Sequence, residues 1–123
     1  MTLKEYLNSL GAVEINKERV DKLIEIYGNG IPTIVQQIAS YDMEDYFLED
    51  EIRILSFNGI IFADDDLNAR FKDARLIPLA DLMDGDYAVY NCVTGKWNMC
   101  NAYEGILFNE QDSLEQLLSI DTE

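Results

Sequence analysis

Residues 76–108 read LIPLADLMDGDYAVYNCVTGKWNMCNAYEGILF, and this stretch decides the fold. Asp86-Tyr-Ala-Val-Tyr-Asn-Cys-Val93 and Trp97-Asn-Met-Cys-Asn-Ala-Tyr103 are dense in β-branched and aromatic residues, the composition of paired strands. Thr94-Gly95-Lys96 between them is short enough for a hairpin loop, and Gly95 supplies the positive φ such loops need. Pairing Val93 with Trp97 sets Tyr87, Val89, Val93, Met99 and Tyr103 on the tryptophan's face of the sheet. Ala88, Tyr90, Cys92, Cys100 and Ala102 line the other. Neither face is polar throughout, so helices or loops are expected to cover both.

Outward from the hairpin, the N-terminal third reads as helices. Thr2-Leu-Lys-Glu5 is a capping-box pattern, with Leu3, Tyr6, Leu7 and Leu10 on one face and Gly11 as the stop. Asn16 caps a second helix with an apolar stripe of Val20, Leu23, Ile24 and Tyr27, ended by Gly28. Pro32 suits the first turn of a third helix carrying Ile34, Val35 and Ile38. Residues 52–57 read as a strand, with helix as the alternative, Asn58-Gly59 as a turn, and Ile60–Ala63 as a second strand or a short helix. Asp64 to Arg75 reads as a polar connection, and Pro78 pushes Leu76–Leu79 to an edge or a strand end. Asn109 is the expected cap of a final helix whose Leu114, Leu117 and Leu118 face inward. The expected architecture is α+β: a single domain over 1–123, a mainly antiparallel β-sheet packed with N-terminal helices and one C-terminal helix.

A chain of 123 residues with 48% hydrophobic and 11% aromatic content is large enough to keep its own core. No apolar run approaches the roughly 18 residues of a membrane span. Met1-Thr-Leu-Lys-Glu5 carries no signal-peptide pattern, so the expected compartment is the cytosol. In the pairing above Cys92 and Cys100 lie diagonally, about 7–8 Å apart, beyond disulfide reach. Reduced thiols are the reading, as a reducing compartment implies.

Charge is the loudest feature. Nine bases stand against 24 acids, a net charge of −15. Residues 42–66 hold nine acids and only Arg53, while residues 76–123 hold nine acids and only Lys96. Such a field disfavours nucleic acid and anionic membranes and favours a basic protein partner. Acidity that only maintains solubility is the competing reading.

Little in the chain points to catalysis. It contains no histidine, which removes His-based triads, the commonest general base and most zinc sites. Two cysteines cannot close a structural zinc site, and Gly95-Lys96 lacks the rest of a phosphate loop. Asp64-x-Asp66-x-Asn68 copies the start of a calcium loop, yet Ala69 and Arg75 stand where the turn glycine and the bidentate glutamate belong. A solvated acidic turn is the reading there; no metal and no cofactor are expected. Trp97, beside Val93 and Met99, is read as core in preference to an interface anchor. Acids with interspersed Tyr41, Tyr46 and Phe47 form what a basic protein would dock on, or else a plain solvated face.

The order of features resembles the SUKH superfamily, which includes fungal Smi/Knr cell-wall regulators and many small bacterial immunity proteins. The matching pieces are Ile31-Pro32, Ile54-Leu55-Ser56 followed by Ile60-Ile61 and Ala63, and Leu76-Ile77-Pro78. They continue through Asp86-Tyr87-x-Val89-Tyr90, Gly95-Lys96-Trp97, Phe108, and Leu114 with Leu117 and Leu118, covering residues 30–120. The resemblance implies a domain that is not an enzyme, has no catalytic residues to carry over, and binds the toxin domain of a polymorphic or contact-delivered toxin, often a nuclease.

The first reading is therefore an immunity protein acting by stoichiometric binding of a basic toxin domain. Its expected contact residues are Asp42, Glu44, Asp45, Tyr46, Glu49, Asp50 and Glu51, with Asp64, Asp65, Asp66, Asp84 and Asp86 as a second patch. The alternatives are a non-catalytic regulatory or scaffold module for a housekeeping partner, and a small carboxylate-based enzyme. The sequence leaves the partner's identity and the oligomeric state open.

Overall fold

The first two N-terminal helices are fixed by their caps. In the computed structural model, which describes residues 2–42, 46–48, 52–71 and 75–121, Thr2 Oγ1 accepts from the Glu5 amide at 3.2 Å while the Glu5 carboxylate takes the Thr2 amide at 3.4 Å. This reciprocal box opens α1 (Leu3–Leu10), which buries Leu3, Tyr6 and Leu10. Asn16 caps α2 (Lys17–Tyr27) through the Arg19 amide, and Val20, Leu23 and Tyr27 turn inward. Pro32 precedes α3 (Thr33–Ser40), whose Val35, Ile38 and Ala39 are buried. Ser40 Oγ accepts from the Asn16 amide at 2.8 Å, tying the end of α3 to the start of α2.

Among the described residues two more helices and six strands follow: β1 (Tyr46–Phe47), β2 (Arg53–Ile54), α4 (Phe57–Arg70), β3 (Leu76–Asp81), β4 (Asp86–Asn91), β5 (Lys96–Asn101), β6 (Ile106–Gln111) and α5 (Leu114–Asp121). Sheet order equals chain order and every pair is antiparallel. The α+β class stands.

Three expectations need correction. Asn58-Gly59 is no turn, and Asp64 to Arg70 is no loose connection. Ser56 Oγ accepts from the Gly59 amide at 3.1 Å, making Asn58-Gly59 the first turn of α4. Ile60, Ala63 and Leu67, at helical spacing, hold the inner side of that helix while Asp65 and Asp66 point outward. Second, residues after Gly105 form a sixth strand before the last helix. Asn109, at φ 52°, sits in the irregular stretch where β6 slips against β5, and Ser113, accepting from the Gln116 amide at 3.1 Å, caps α5 in its place.

Third, the central hairpin has another register. Tyr90, not Val93, faces Trp97, with ring centroids 4.8 Å apart. Asn91 causes this: its Oδ1 accepts the Val93 amide at 2.9 Å and the Thr94 amide at 3.4 Å, ending the strand early. The shift exchanges the faces of β4, because side chains alternate along a strand. Ala88, Tyr90 and Cys92 now join Trp97 and Met99 in the main core with Leu114, Leu117 and Leu118 of α5 and the buried residues of α1 to α3. Val89 and Cys100 turn to the other face, into a smaller core with Leu67, Phe71 and Leu76. Both faces are covered, as expected, and the two free thiols lie on opposite sides of the sheet.

Pro78 sits at an irregularity where the β3–β4 register shifts between Pro78 and Ala80. β2 reaches only Ala80 and Asp81, so Pro78 meets β4 alone and interrupts no ladder on its other side. The outer strand β6 exposes residues on both faces, including Ile106 and Leu107.

Candidate functional site

Antiparallel order sends the β3–β4 turn and the β5–β6 turn to the same end of the sheet. The amide of Ala102 in the second donates to the carbonyl of Gly85 in the first at 3.1 Å, so the two turns are joined. Each is shaped by a side chain at its base. Asp81 Oδ1 accepts the Met83 amide at 2.8 Å. Asn101 Oδ1 accepts the Tyr103 and Glu104 amides at 3.0 and 2.9 Å, and its Nδ2 donates to Asp86 Oδ1 at 2.9 Å.

Between these turns and the second half of α4 lies a cleft of about 640 Å³, within the usual range for ligand sites. α4 contributes Ala63, Asp66, Leu67, Ala69 and Arg70; the sheet end contributes Asp81, Met83, Gly85, Tyr87, Ala102 and Tyr103. Apolar and aromatic surface thus meets carboxylates of two different elements. Tyr103 is 76% exposed and Met83 53%, so both stand at the rim. The Arg70 guanidinium reaches the Tyr103 carbonyl at 3.4 Å. Asp81 is held by Arg53 at 3.1 Å. Burial, with the charges of Asp81 and Asp66 adding to it against Arg53, raises the Tyr87 phenol above its ordinary value. At neutral pH that hydroxyl is a proton donor.

The expected contact residues separate. Glu44, Asp45, Glu49, Asp50 and Glu51 lie outside the described residues; Tyr46 falls on β1, and Asp42 is exposed, 3.6 Å from Arg19. In the second patch Asp66 lines the cleft and Asp65 is exposed beside it on α4; Asp84 is exposed in the β3–β4 turn next to Gly85, whereas Asp86 shares the opposite face of β4 with Ala88, its carboxylate held by Asn101. Asp64 does not belong with them. It accepts from the Tyr27 hydroxyl at 2.6 Å and Asn68 Nδ2 at 2.7 Å, and Asn68 in turn bonds both the amide and the carbonyl of Leu76 at 3.0 Å. Asp64-x-Asp66-x-Asn68 is helical, with Asp64 and Asn68 stacked one turn apart as parts of a strut joining α2, α4 and β3.

The sequence reading missed Asp81, Met83, Gly85, Tyr87, Arg70 and Tyr103 as site residues. The register of the hairpin moves Tyr87 off Trp97's face of the sheet, and the end of β5 at Asn101 leaves Tyr103 in the following turn. The available signal was Gly85 and Gly105, which mark the turns that Tyr87 follows and Tyr103 lies in.

Among the described residues no helix is long and apolar enough to cross a membrane. Comparison with family models, curated proteins and solved structures finds no match to this chain.

Proposed function

We propose that this chain is a non-catalytic binding domain that docks a basic protein on the end of the sheet where α4 and the two joined turns meet. The observation that carries the reading is the cleft itself: tyrosine walls and carboxylates from separate elements, on a protein of net charge −15. Aromatic anchors ringed by charge complementary to the partner are the usual makeup of a specific interface. Of the charged residues lining it, Asp66 and Asp81 stand against Arg70, with Asp65 on α4 and Asp84 in the β3–β4 turn exposed next to lining residues. With the likeness to SUKH domains, the partner class is a bacterial toxin domain, neutralised in the cytoplasm by stoichiometric occlusion of its basic surface. A carboxylate enzyme is less well supported, since Asp81 is already committed to Arg53.

The test is association kinetics with the toxin-like product of the neighbouring gene. Asp66→Lys combined with Asp84→Lys is expected to slow association about 10-fold or more at low salt and to flatten its salt dependence. Unchanged kinetics at low salt would remove this face from consideration. An abundant housekeeping partner recovered from cells lacking any toxin gene would favour a scaffold role.

A further inference from the structure

Resting on that docking reading, we infer that the cleft is a receptor for one arginine side chain of the partner, taken between Tyr87 and Tyr103 and over Asp66. The walls suit a planar cation. Tyr103 lies against Gly85, whose lack of a side chain leaves the ring its place: a Cβ there would stand 2.8 Å from Tyr103 Cε2. Tyr87 keeps its proton, so its ring stays a neutral π surface on which a guanidinium stacks. Ala63, Ala69 and Ala102 give the aliphatic stem of an arginine apolar surface to cover.

Asp66 is exposed on α4 and supplies a carboxylate for the incoming charge. Asp81, opposite, is paired with Arg53 at 3.1 Å. The molecule's own arginines display both modes of recognition: Arg53 on a carboxylate, and Arg19 with its guanidinium carbon 5.7 Å from the centre of the Phe57 ring. Lysine fits less well, because an ammonium neither stacks flat nor forks to a carboxylate. The resident Arg70 hangs at the rim on one long bond to the Tyr103 carbonyl, 3.4 Å. Its charge opposes an incoming cation, so it sets a limit on affinity.

The probe is a blocked Gly-Arg-Gly tripeptide titrated into the isotopically labelled full chain, with Gly-Lys-Gly and Gly-Glu-Gly as comparisons, read by amide chemical shifts. The arginine peptide is expected to move Asp66, Tyr87, Ala102 and Tyr103, to bind roughly threefold more tightly than the lysine peptide, and to outdo the glutamate peptide by more. Tyr103→Ala and Asp66→Asn should each weaken it several-fold, and Arg70→Gln should strengthen it. The amide spectrum of each variant reports directly whether the fold is intact. No response at the highest soluble concentration, shifts scattered elsewhere, or equal binding of the glutamate peptide would overturn the inference. If the whole basic partner still binds Tyr103→Ala at full strength, with its salt dependence intact, the arginine receptor fails while the docking domain stands.

Discussion

The ring of Tyr103 rests on the backbone of Gly85, 2.8 Å from where a side chain would begin. Gly85 also sits at φ +88°, a region L residues rarely adopt. Two penalties therefore meet in Gly85→Ala, and their sizes differ. The exposed tyrosine can swing aside, whereas the backbone strain persists. Gly85→Ala is expected to lose about 1–3 kcal/mol in denaturant unfolding. Adding Tyr103→Ala should restore little of it, with a coupling below about 0.5 kcal/mol. A larger coupling would make ring contact the dominant cost.

Asn68 is the hub of the strut between α4 and β3, engaging Asp64 and both backbone groups of Leu76. Leu76 is fully buried, so water cannot replace those bonds. Asn68→Ala should cost about 2–4 kcal/mol. Asn68→Asp should cost more, because it loses the donor and sets a second carboxylate against Asp64. The order of the two melting temperatures checks this.

The fold is expected to weaken at alkaline pH. Burial pushes the Cys100 thiol up to about 12 from an ordinary 9.0. Burial, with Tyr41, raises Tyr6 above 10.0, and burial, with the hydrogen bond to Asp64, raises Tyr27 further. Each group keeps its proton in the folded state after the unfolded chain has lost it. Stability is thus complete below pH 9 and falls from there towards 12, first through Cys100 and then, above 10, through the tyrosines. The slope should reach about 1.4 kcal/mol per pH unit for each group titrating. Urea midpoints across that range measure it, and a flat profile would contradict it. Thiol reagents at neutral pH should modify Cys92 slowly, its pKa raised by burial against Arg75, and Cys100 only on unfolding.

Phe62 projects from α4 with 82% of its surface exposed, one turn before Asp66. Phe62→Ser should leave stability within about 0.5 kcal/mol yet weaken partner binding if the docking face extends along the helix. Val93, 66% exposed in the β4–β5 turn at the other end of the sheet, supplies the control. Val93→Ser should change neither quantity.

How far the chain could be read ahead of its structure follows from how local each determinant is. Thr2 with Glu5, and Asn16 with Arg19, act within one helical turn, so α1 and α2 were legible. The hairpin was legible from its β-rich composition, but its pairing depended on Asn91 folding back on Val93 and Thr94, a contact that composition does not display. α4 was hidden because Asn58-Gly59 carries the local signature of a turn and was overridden by the Ser56 cap and the buried Ile60, Ala63 and Leu67. β6 was hidden because Asn109 breaks its regularity. For the site, sequence flagged Asp66 and the neighbouring Asp84 but grouped Asp64 and Asp86 with them, since helical phase sends Asp64 inward to Tyr27 and strand alternation sends Asp86 to the face of Ala88. The aromatic half of the cleft comes together only when the β3–β4 and β5–β6 turns meet through Ala102 and Gly85, a contact that depends on the strand pairing and not on local composition.

The last strand carries a different consequence. Ile106 and Leu107 are 48% and 37% exposed on β6, the outermost strand of the sheet, and its sequence ILFNEQ offers neither lysine nor proline to discourage another strand. Mutual repulsion between copies of charge −15 then joins the irregularity at Asn109 as a guard against edge-to-edge stacking. Concentrated salt, by screening that repulsion, would expose the molecule's colloidal weak point there.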